Sequence, residues 1–114
     1  MVPEINAQAV AAKLKSGENF TILDVRESWE TNLVKISDER VTFLPLSRIA
    51  RERKNAFPEH LQDSQTEIIV ICHHGIRSAD VTAWMLQNGW NNVSSLAGGI
   101  AEYAAQVDSS VGFY

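Results

Sequence analysis

The chain has 114 residues, of which 45% are apolar and 21% are charged, and its formal net charge is -4. This length predicts one compact domain over residues 1–114, and the composition argues against a disordered chain. There is no run of basic residues suited to nucleic acid and no apolar stretch near the ~20 residues that span a membrane, so neither partner is expected.

The first part of the chain predicts a helix, a buried strand and a turn. Residues 7–16 have apolar side chains at helical spacing, Asn6 is a suitable N-cap, and Gly17 suits the left-handed position after a helix. Residues 20–25 form a short apolar run that ends in charge, which is typical of a buried strand. Residues 26–32 then predict a short helix or turn.

Two further pairs of strand and helix follow. Residues 41–44 predict a strand, and residues 47–54 predict a short helix with Ser47 as its cap. Residues 67–71 (EIIVI) are almost entirely β-branched, which is typical of a central strand covered on both faces. Residues 78–88 have the apolar spacing of a longer helix.

Residues 93–96 predict the last strand, and Gly98 and Gly99 open a final helix that ends near residue 107. Strands that alternate with helices predict an α/β fold, with a mainly parallel sheet flanked by helices on both faces. Ligands bind such sheets at the carboxyl ends of the strands. Cys72 follows the central strand directly, so it is predicted to lie at this edge.

The loop CHHGIR at residues 72–77 combines features that activate a thiol. Its amides and those of the first helical turn lack backbone acceptors, so a curled loop would direct them at the Cys72 sulfur. Gly75 permits a positive φ, the helix start adds partial positive charge, and Arg77 adds a full one. These surroundings favour the thiolate, which attacks sulfur donors, and would also stabilise a persulfide anion.

Cys72 is the only cysteine in the sequence, so no disulfide can form within the chain. A lone cysteine is typical of a reducing compartment or of a reactive thiol. The N-terminal residues lack the basic stretch and the apolar run of a signal peptide. A cytoplasmic location is therefore expected.

Three segments carry a resemblance to a known family: LDVRE at residues 23–27, CHHGIRS at residues 72–78 and LAGGI at residues 96–100. In order and spacing they resemble rhodanese-homology domains of the single-domain bacterial type. The resemblance implies a five-stranded sheet and a sulfurtransferase in which Cys72 is the catalytic, sulfur-accepting nucleophile. It also implies that the sulfur is bound by the residues that follow the cysteine, namely His73, His74, Gly75, Ile76, Arg77 and Ser78.

The same resemblance implies the substrates. A small sulfur donor such as thiosulfate, or a protein persulfide, would load Cys72. A thiophilic acceptor such as cyanide, a thiol or a sulfur-carrier protein would unload it, and no cofactor is needed. Asp24 and Arg26 end the first strong strand at the same edge, where Asp24 is expected to support the loop by accepting backbone hydrogen bonds or by pairing with an arginine.

The sequence departs from the family after Asn32. Family members carry Gly-His-Ile and then Pro-Gly-Ala in this region, whereas residues 33–41 read LVKISDERV and contain neither segment. The assignment of the fold does not depend on this stretch. Its path, and any contact that it makes with a substrate, are left open by the sequence.

Loop length separates two chemistries. Four residues lie between Cys72 and Arg77, whereas related cysteine phosphatases have five, and the loop holds no evident general acid. Phosphatase or arsenate reductase chemistry is the weaker alternative, and a non-catalytic or regulatory protein-binding module is another. A metal site at Cys72, His73 and His74 is not expected, because three adjacent ligands suit tetrahedral zinc poorly.

Three other features have roles that the sequence leaves open. One imidazole of His73 and His74, partly protonated near neutral pH, could help to hold an anion, or both rings could face solvent. Trp29 could line the mouth of the site. Gly98 and Gly99 are expected to permit a close backbone approach before the last helix.

Overall fold

The structure, a computed structural model, describes residues 2–114 and contains a five-stranded sheet in which every strand pair is parallel. The strands, β1 to β5 along the chain, are Glu4–Ile5, Thr21–Asp24, Val41–Phe43, Ile68–Ile71 and Val93–Leu96, in the order β1-β5-β4-β2-β3. This confirms the predicted α/β class and the four strands predicted from apolar runs. The fifth strand, β1, has two residues, which is too short to show a period of its own.

Helices cover both faces of this sheet, as predicted. They are α1 (Ala7–Ser16), α2 (Ser28–Thr31), α3 (Leu46–Glu52), α4 (Ile76–Gln87) and α5 (Gly99–Gln106), with short 3-10 turns at Arg53–Ala56, Glu59–Leu61 and Ser109–Val111. Successive side chains of a strand point to opposite faces, so the central strands contribute to two cores. Leu23 and Val70 pack with residues of α3 and α4, whereas Ile22 and Ile69 pack with residues of α1 and α5.

Residues next to the helices determine where α1 begins and ends and where α4 begins. Asn6 Oδ1 accepts a hydrogen bond from the Ala9 amide at 2.8 Å, and Gly17 is left-handed at φ 76°, both as predicted. Helix α4 begins at Ile76, two residues before the predicted start, because Gly75 already makes the turn out of the loop at φ 98°. The first helical turn therefore belongs to the loop that carries Cys72.

The predicted cap of α3 is wrong. The helix begins at Leu46, one residue earlier than predicted, and the residue before it is Pro45. The ring of Pro45 fixes φ at -60°, a value that suits the entry to a helix without a side-chain cap. The Ser47 hydroxyl is then free to donate to Glu27 Oε1 at 2.7 Å, which ties α3 to α2.

Residues 33–41 are held in place by both apolar and polar contacts. Val34 and Ile36 are buried in the core below α1 and α5. The Val34 carbonyl accepts a hydrogen bond from Arg26 Nη2 at 2.9 Å, and Arg40 Nη2 donates to the Leu14 carbonyl at 2.8 Å. This connection therefore has a defined path despite its unusual sequence.

The carboxyl ends of the parallel strands meet at one edge of the sheet. Asp24 ends β2, Phe43 ends β3, and Cys72 follows the last residue of β4. Asp24 and Cys72 therefore lie at the same edge of the sheet, as the order of the elements predicted. Within residues 2–114, no helix is long and apolar enough to cross a lipid bilayer.

Candidate active site

Cys72 lies at the floor of the loop between β4 and α4, with only 1% of its surface exposed. Its Sγ atom accepts hydrogen bonds from the Gly75 amide at 3.1 Å and from the Ser78 amide at 3.3 Å. The Ser78 hydroxyl lies 3.4 Å from the same sulfur. The loop thus curls around the sulfur, and the amides of Gly75 and Ser78 would stabilise a sulfur anion.

The start of α5 fixes the loop from the other side. The Ile100 amide donates to the Cys72 carbonyl at 2.9 Å, and the Ala101 amide donates to the His73 carbonyl at 3.1 Å. Gly99 makes this approach possible, since a Cβ at that position would collide with both carbonyl groups. The close approach expected at the glycine pair is confirmed, and the amides of α5 satisfy the carbonyls of Cys72 and His73.

A serine pair supports the sulfur from below. Ser78 and Ser95 are both fully buried, and their hydroxyl oxygens lie 2.7 Å apart. Ser95 belongs to β5, so this contact links the first turn of α4 to the neighbouring strand. Sequence reasoning missed Ser95, although a serine inside a buried strand was a signal, because buried hydroxyls need partners.

Arg77 forms an ion pair with Glu30. Its guanidinium donates two hydrogen bonds of 2.7 Å to the carboxylate of Glu30, in a two-point ion pair between α4 and α2. Sequence reasoning missed Glu30. The signal was the spacing of Glu27 and Glu30, because the Glu27 amide donates to Glu30 Oε2 in a capping box.

Arg77 also sets the protonation of Glu30. Hydrogen bonds from Arg77 lower the pKa of the Glu30 carboxyl from 4.5 to about 2, against the opposing effect of burial. The Glu30 side chain is 4% exposed, and that of Arg77 is 34% exposed. Glu30 is therefore an anion near neutral pH and neutralises the charge of Arg77.

Replacing Glu30 with glutamine is expected to lower the free energy of unfolding by about 2 kcal/mol at neutral pH. This value allows for solvent screening of the ion pair, because the Arg77 side chain is partly exposed. Because the pKa is lowered on folding, this stability is present above about pH 4.5 and is lost as the pH falls towards about 2. Urea unfolding of both proteins at neutral pH and near pH 3 measures the difference, which should shrink on acidification.

The control for this experiment is Glu52→Gln, which removes a surface carboxylate that pairs with both Arg48 and Arg51 on α3. Each of these surface pairs contributes about 0.5 kcal/mol or less. If Glu30→Gln costs no more than this control, or if its cost does not depend on pH, the ion pair does not stabilise the loop.

A second ion pair lies deeper, at the end of β2. The side chains of Asp24 and Arg26 are 0% exposed, and Arg26 Nη2 donates to Asp24 Oδ2 at 2.7 Å. Arg26 also donates from Nε to Asp24 Oδ1 at 3.0 Å and from Nη1 to the Tyr114 hydroxyl at 3.2 Å. Of the two roles considered for Asp24, the structure shows pairing with an arginine, which is Arg26, two residues along the chain. Through Arg26 the pair is also joined to Tyr114.

Aromatic rings stack beside the loop. His73 lies between His74 and Tyr114, with a distance of 3.9 Å between ring centroids in each pair. Burial, and secondarily the neighbouring imidazole of His74, lower the pKa of His73 from 6.5, which favours the neutral form of this ring. The Tyr114 hydroxyl donates to Glu30 Oε1 at 3.0 Å, a contact that sequence reasoning missed.

Two of the remaining residues singled out in the sequence are exposed. Ile76 is 75% exposed at the start of α4, and Trp29 is 63% exposed beside Glu30. Within residues 2–114, no group of three or more His, Cys, Asp or Glu side chains is arranged to hold a metal ion. Of the predicted site residues, Gly75 and Ser78 contact the Cys72 sulfur, whereas Arg77 pairs with Glu30 and Asp24 pairs with Arg26.

A family model for the rhodanese-like domain matches residues 6–106. The chain belongs to the rhodanese-like family. The match confirms the resemblance carried by the three sequence segments, and it includes residues 33–41, which lack the usual family residues. Rhodanese-like domains form a sulfur-transfer family, so the sulfur-binding geometry of the loop agrees with the family of the chain.

The chain is 31% identical over 107 residues to "Putative sulfur carrier protein YrkF" of Bacillus subtilis, covering 94% of this chain and 54% of that protein. It is 32% identical over 91 residues to a tRNA uridine(34) hydroxylase of Leptospira interrogans, covering 79% of this chain and 24% of the hydroxylase. The chain thus spans about half or less of these curated relatives. A rhodanese-related protein of Thermoplasma volcanium matches at a TM-score of 0.74 and 28% identity, covering 92% of this chain and 93% of that structure.

Proposed function

We propose that the protein is a sulfurtransferase in which Cys72 carries sulfur as a persulfide. The observation that carries this proposal is the pair of amide hydrogen bonds, from Gly75 and Ser78, to the Cys72 sulfur. These donors are fixed before any substrate arrives, so they can stabilise negative charge on sulfur without reorganisation. His73, His74, Gly75, Ile76, Arg77 and Ser78 form the wall of the sulfur site, and Asp24 and Arg26 support it.

The reaction has two steps. In the first, the Cys72 thiolate attacks the outer sulfur of a donor such as thiosulfate; a sulfur–sulfur bond forms at Cys72, and the bond between the donor sulfurs breaks. Sulfite, or the thiolate of a persulfide donor, leaves with the electron pair. In the second, a thiophilic acceptor attacks the outer sulfur, and Cys72 leaves as thiolate. This ping-pong sequence needs no external oxidant or cofactor.

The first turn of α4 supplies hydrogen-bond donors for the outer sulfur of the persulfide. The amides of Ile76 and Arg77 have no acceptor within α4 because they belong to its first turn. They can donate to the outer sulfur of the persulfide, while Gly75 and Ser78 hold the inner one. We infer a cytoplasmic location, because a lone cysteine that must return to the free thiol after each turnover suits a reducing compartment.

Phosphatase chemistry is less well supported. The Glu30 carboxylate accepts two hydrogen bonds from the Arg77 guanidinium and places a negative charge beside it, which would repel a phosphate group. Only four residues separate Cys72 from Arg77, which also leaves a narrow loop. Both features favour a sulfur atom over a phosphate group.

Mass spectrometry tests the proposal. After incubation with excess thiosulfate or polysulfide, the intact protein should gain one sulfur, and fragmentation should place it on Cys72. Cyanide should remove the sulfur and yield thiocyanate. The Cys72→Ser variant should gain no sulfur while its urea unfolding curve stays within about 0.5 kcal/mol of the parent. Absence of the adduct with every donor, in folded protein, would contradict the proposal.

A further inference from the structure

A chain of buried hydrogen bonds connects the Cys72 sulfur to β5. The hydroxyl oxygens of Ser78 and Ser95 lie 2.7 Å apart, and both residues are 0% exposed. The Ser78 hydroxyl oxygen has two further neighbours, the Gly75 carbonyl oxygen at 3.2 Å and the Cys72 sulfur at 3.4 Å. Within residues 2–114, the Ser95 hydroxyl oxygen has Ser78 as its only hydrogen-bond partner.

The count of hydrogens fixes the direction of this chain. A hydroxyl donates one hydrogen bond and can accept two. The Ser95 hydrogen has only the Ser78 oxygen as an acceptor, and folded proteins rarely leave a buried hydroxyl unpaired, so Ser95 donates to Ser78. The Ser78 hydrogen is then left with two acceptors, the Gly75 carbonyl and the Cys72 sulfur.

The Ser78 hydroxyl serves both protonation states of Cys72. When Cys72 is a thiol, its S–H group donates to the Ser78 oxygen, and the Ser78 hydrogen points to the Gly75 carbonyl. When the thiol has lost its proton to solvent, rotation of the Ser78 hydroxyl directs that hydrogen to the sulfur. No heavy atom has to move, because both acceptors already lie within 3.4 Å of the Ser78 oxygen.

The sheet holds Ser95 in place. β5 lies between β1 and β4, and Ser95 is aligned with Glu4 of one strand and Val70 of the other. The Ser95 amide donates to the Pro3 carbonyl at 2.9 Å. Its hydroxyl is therefore a fixed donor, and a hydroxyl that receives a hydrogen bond is itself a stronger donor, because successive hydrogen bonds polarise one another.

We propose that Ser95 is a positioning residue that directs the Ser78 hydroxyl towards Cys72 and thereby favours the thiolate. By donating to Ser78, it leaves the Ser78 hydrogen free for the sulfur and strengthens that hydrogen bond. Its catalytic consequence rests on the proposed sulfur transfer, in which Cys72 attacks as a thiolate and leaves as one. Ser95 acts on both steps, although it reaches Cys72 only through Ser78.

Substitution of Ser95 leaves every charge near the sulfur in place. The charged and titratable groups around the loop are the ion pairs of Asp24 with Arg26 and of Glu30 with Arg77, the imidazoles of His73 and His74, and the phenol of Tyr114. Residues 93–101, which include Ser95 and the start of α5, contain no acidic, basic or imidazole side chain. A changed titration of Cys72 in a Ser95 variant therefore reports the hydroxyl chain.

Titration of the thiolate tests the proposal. Cys72 is the only cysteine, so the ultraviolet absorbance of its thiolate is the difference between each protein and the same protein with Cys72→Ser. At the pH where the wild type is half thiolate, the ratio of thiolate to thiol should be about fivefold lower in Ser95→Ala. An unchanged ratio overturns the proposal. A higher ratio also overturns it, because Ser78 would then donate to Ser95 in the wild type and be released to the sulfur by the substitution.

Thr82→Val is the matched control. Thr82 is 0% exposed, and its hydroxyl donates to the Ser78 carbonyl at 2.7 Å, so this variant also removes a buried hydroxyl bonded to Ser78. It leaves the Ser78 hydroxyl oxygen with all its partners. Both variants should lower Tm by about 5 °C, but only Ser95→Ala should change the titration. An equal change in Thr82→Val would contradict the proposal, because loosening of α4 would then account for it.

A double variant shows whether Ser95 acts through Ser78. In a protein that already carries Ser78→Ala, adding Ser95→Ala should leave the thiolate titration unchanged, because the hydroxyl that Ser95 directs is gone. The double variant should be at least as stable as Ser78→Ala, since it no longer buries a Ser95 hydroxyl without an acceptor. A further fall in the thiolate ratio on adding Ser95→Ala would contradict action through Ser78.

Sulfur transfer separates this inference from the proposed function. Cyanide should remove sulfur from loaded Ser95→Ala about threefold more slowly than from the wild type, because a thiolate that is less stabilised leaves more slowly. If the wild type takes up sulfur from no donor, the sulfurtransferase proposal fails, and the titration still decides the role of Ser95. If wild type and Ser95→Ala both transfer sulfur and titrate alike, only the positioning role is overturned.

Discussion

Replacing Arg26 with methionine is expected to lower the free energy of unfolding by about 3–5 kcal/mol. The substitution leaves the Asp24 carboxylate without its ion-pair partner in a position where its side chain is 0% exposed. It also removes the donors to the Val34 carbonyl and to the Tyr114 hydroxyl. Urea unfolding monitored by circular dichroism measures the loss, with wild type and variant compared at equal slopes.

Two further variants show whether an unpaired buried charge is the cause. Arg48→Met breaks an exposed pair on α3 and should cost about 0.5 kcal/mol or less. The double variant Asp24→Leu with Arg26→Met removes both charges and should regain at least about 1 kcal/mol over Arg26→Met alone. If the double variant is less stable than the single one, the cost of Arg26→Met comes from lost packing and not from the orphaned carboxylate.

This ion pair also shows how far the sequence alone could lead. The alternation of strands and helices placed Asp24, Arg26 and Cys72 at one edge of the sheet, because parallel strands share the direction of their carboxyl ends. This placement needs only the periodicity of apolar residues along the chain. The choice between a loop-binding and an arginine-binding Asp24 needed side-chain geometry, which no local pattern contains.

Contacts between residues far apart in the chain could not be predicted from the sequence. Glu30 meets Arg77 across 47 residues, and Tyr114 meets Arg26 across 88. Such pairs depend on how helices and loops stack in three dimensions, and single-sequence patterns report only neighbours within a few positions. From the sequence, the positive charge of Arg77 was therefore expected to act on the Cys72 sulfur. In the structure, the Arg77 guanidinium donates two hydrogen bonds to Glu30.

Replacing Gly99 with alanine is expected to lower the free energy of unfolding by about 3 kcal/mol and to slow the loading of Cys72 with sulfur about tenfold or more. Two costs add at this position. The backbone has φ 64°, which a side chain disfavours by about 1–2 kcal/mol, and the new Cβ would collide with the carbonyl groups of Cys72 and His73. Relief of that collision must push the loop away from α5, so the Gly75 amide loses its alignment with the sulfur.

Gly17→Ala is the matched control, because it isolates the first of these costs. Gly17 ends α1 at φ 76°, and a Cβ there would meet no atom within 4 Å. It should therefore lose about 1 kcal/mol of stability and keep the wild-type rate of sulfur loading. A Gly99→Ala protein that unfolds like Gly17→Ala and loads sulfur at the wild-type rate would mean that the loop tolerates displacement from α5. The positions of the Gly75 and Ser78 amides would then not depend on the contact between the loop and the start of α5. Only the Gly99→Ala variant disturbs that contact, because only its new Cβ meets the carbonyl groups of Cys72 and His73.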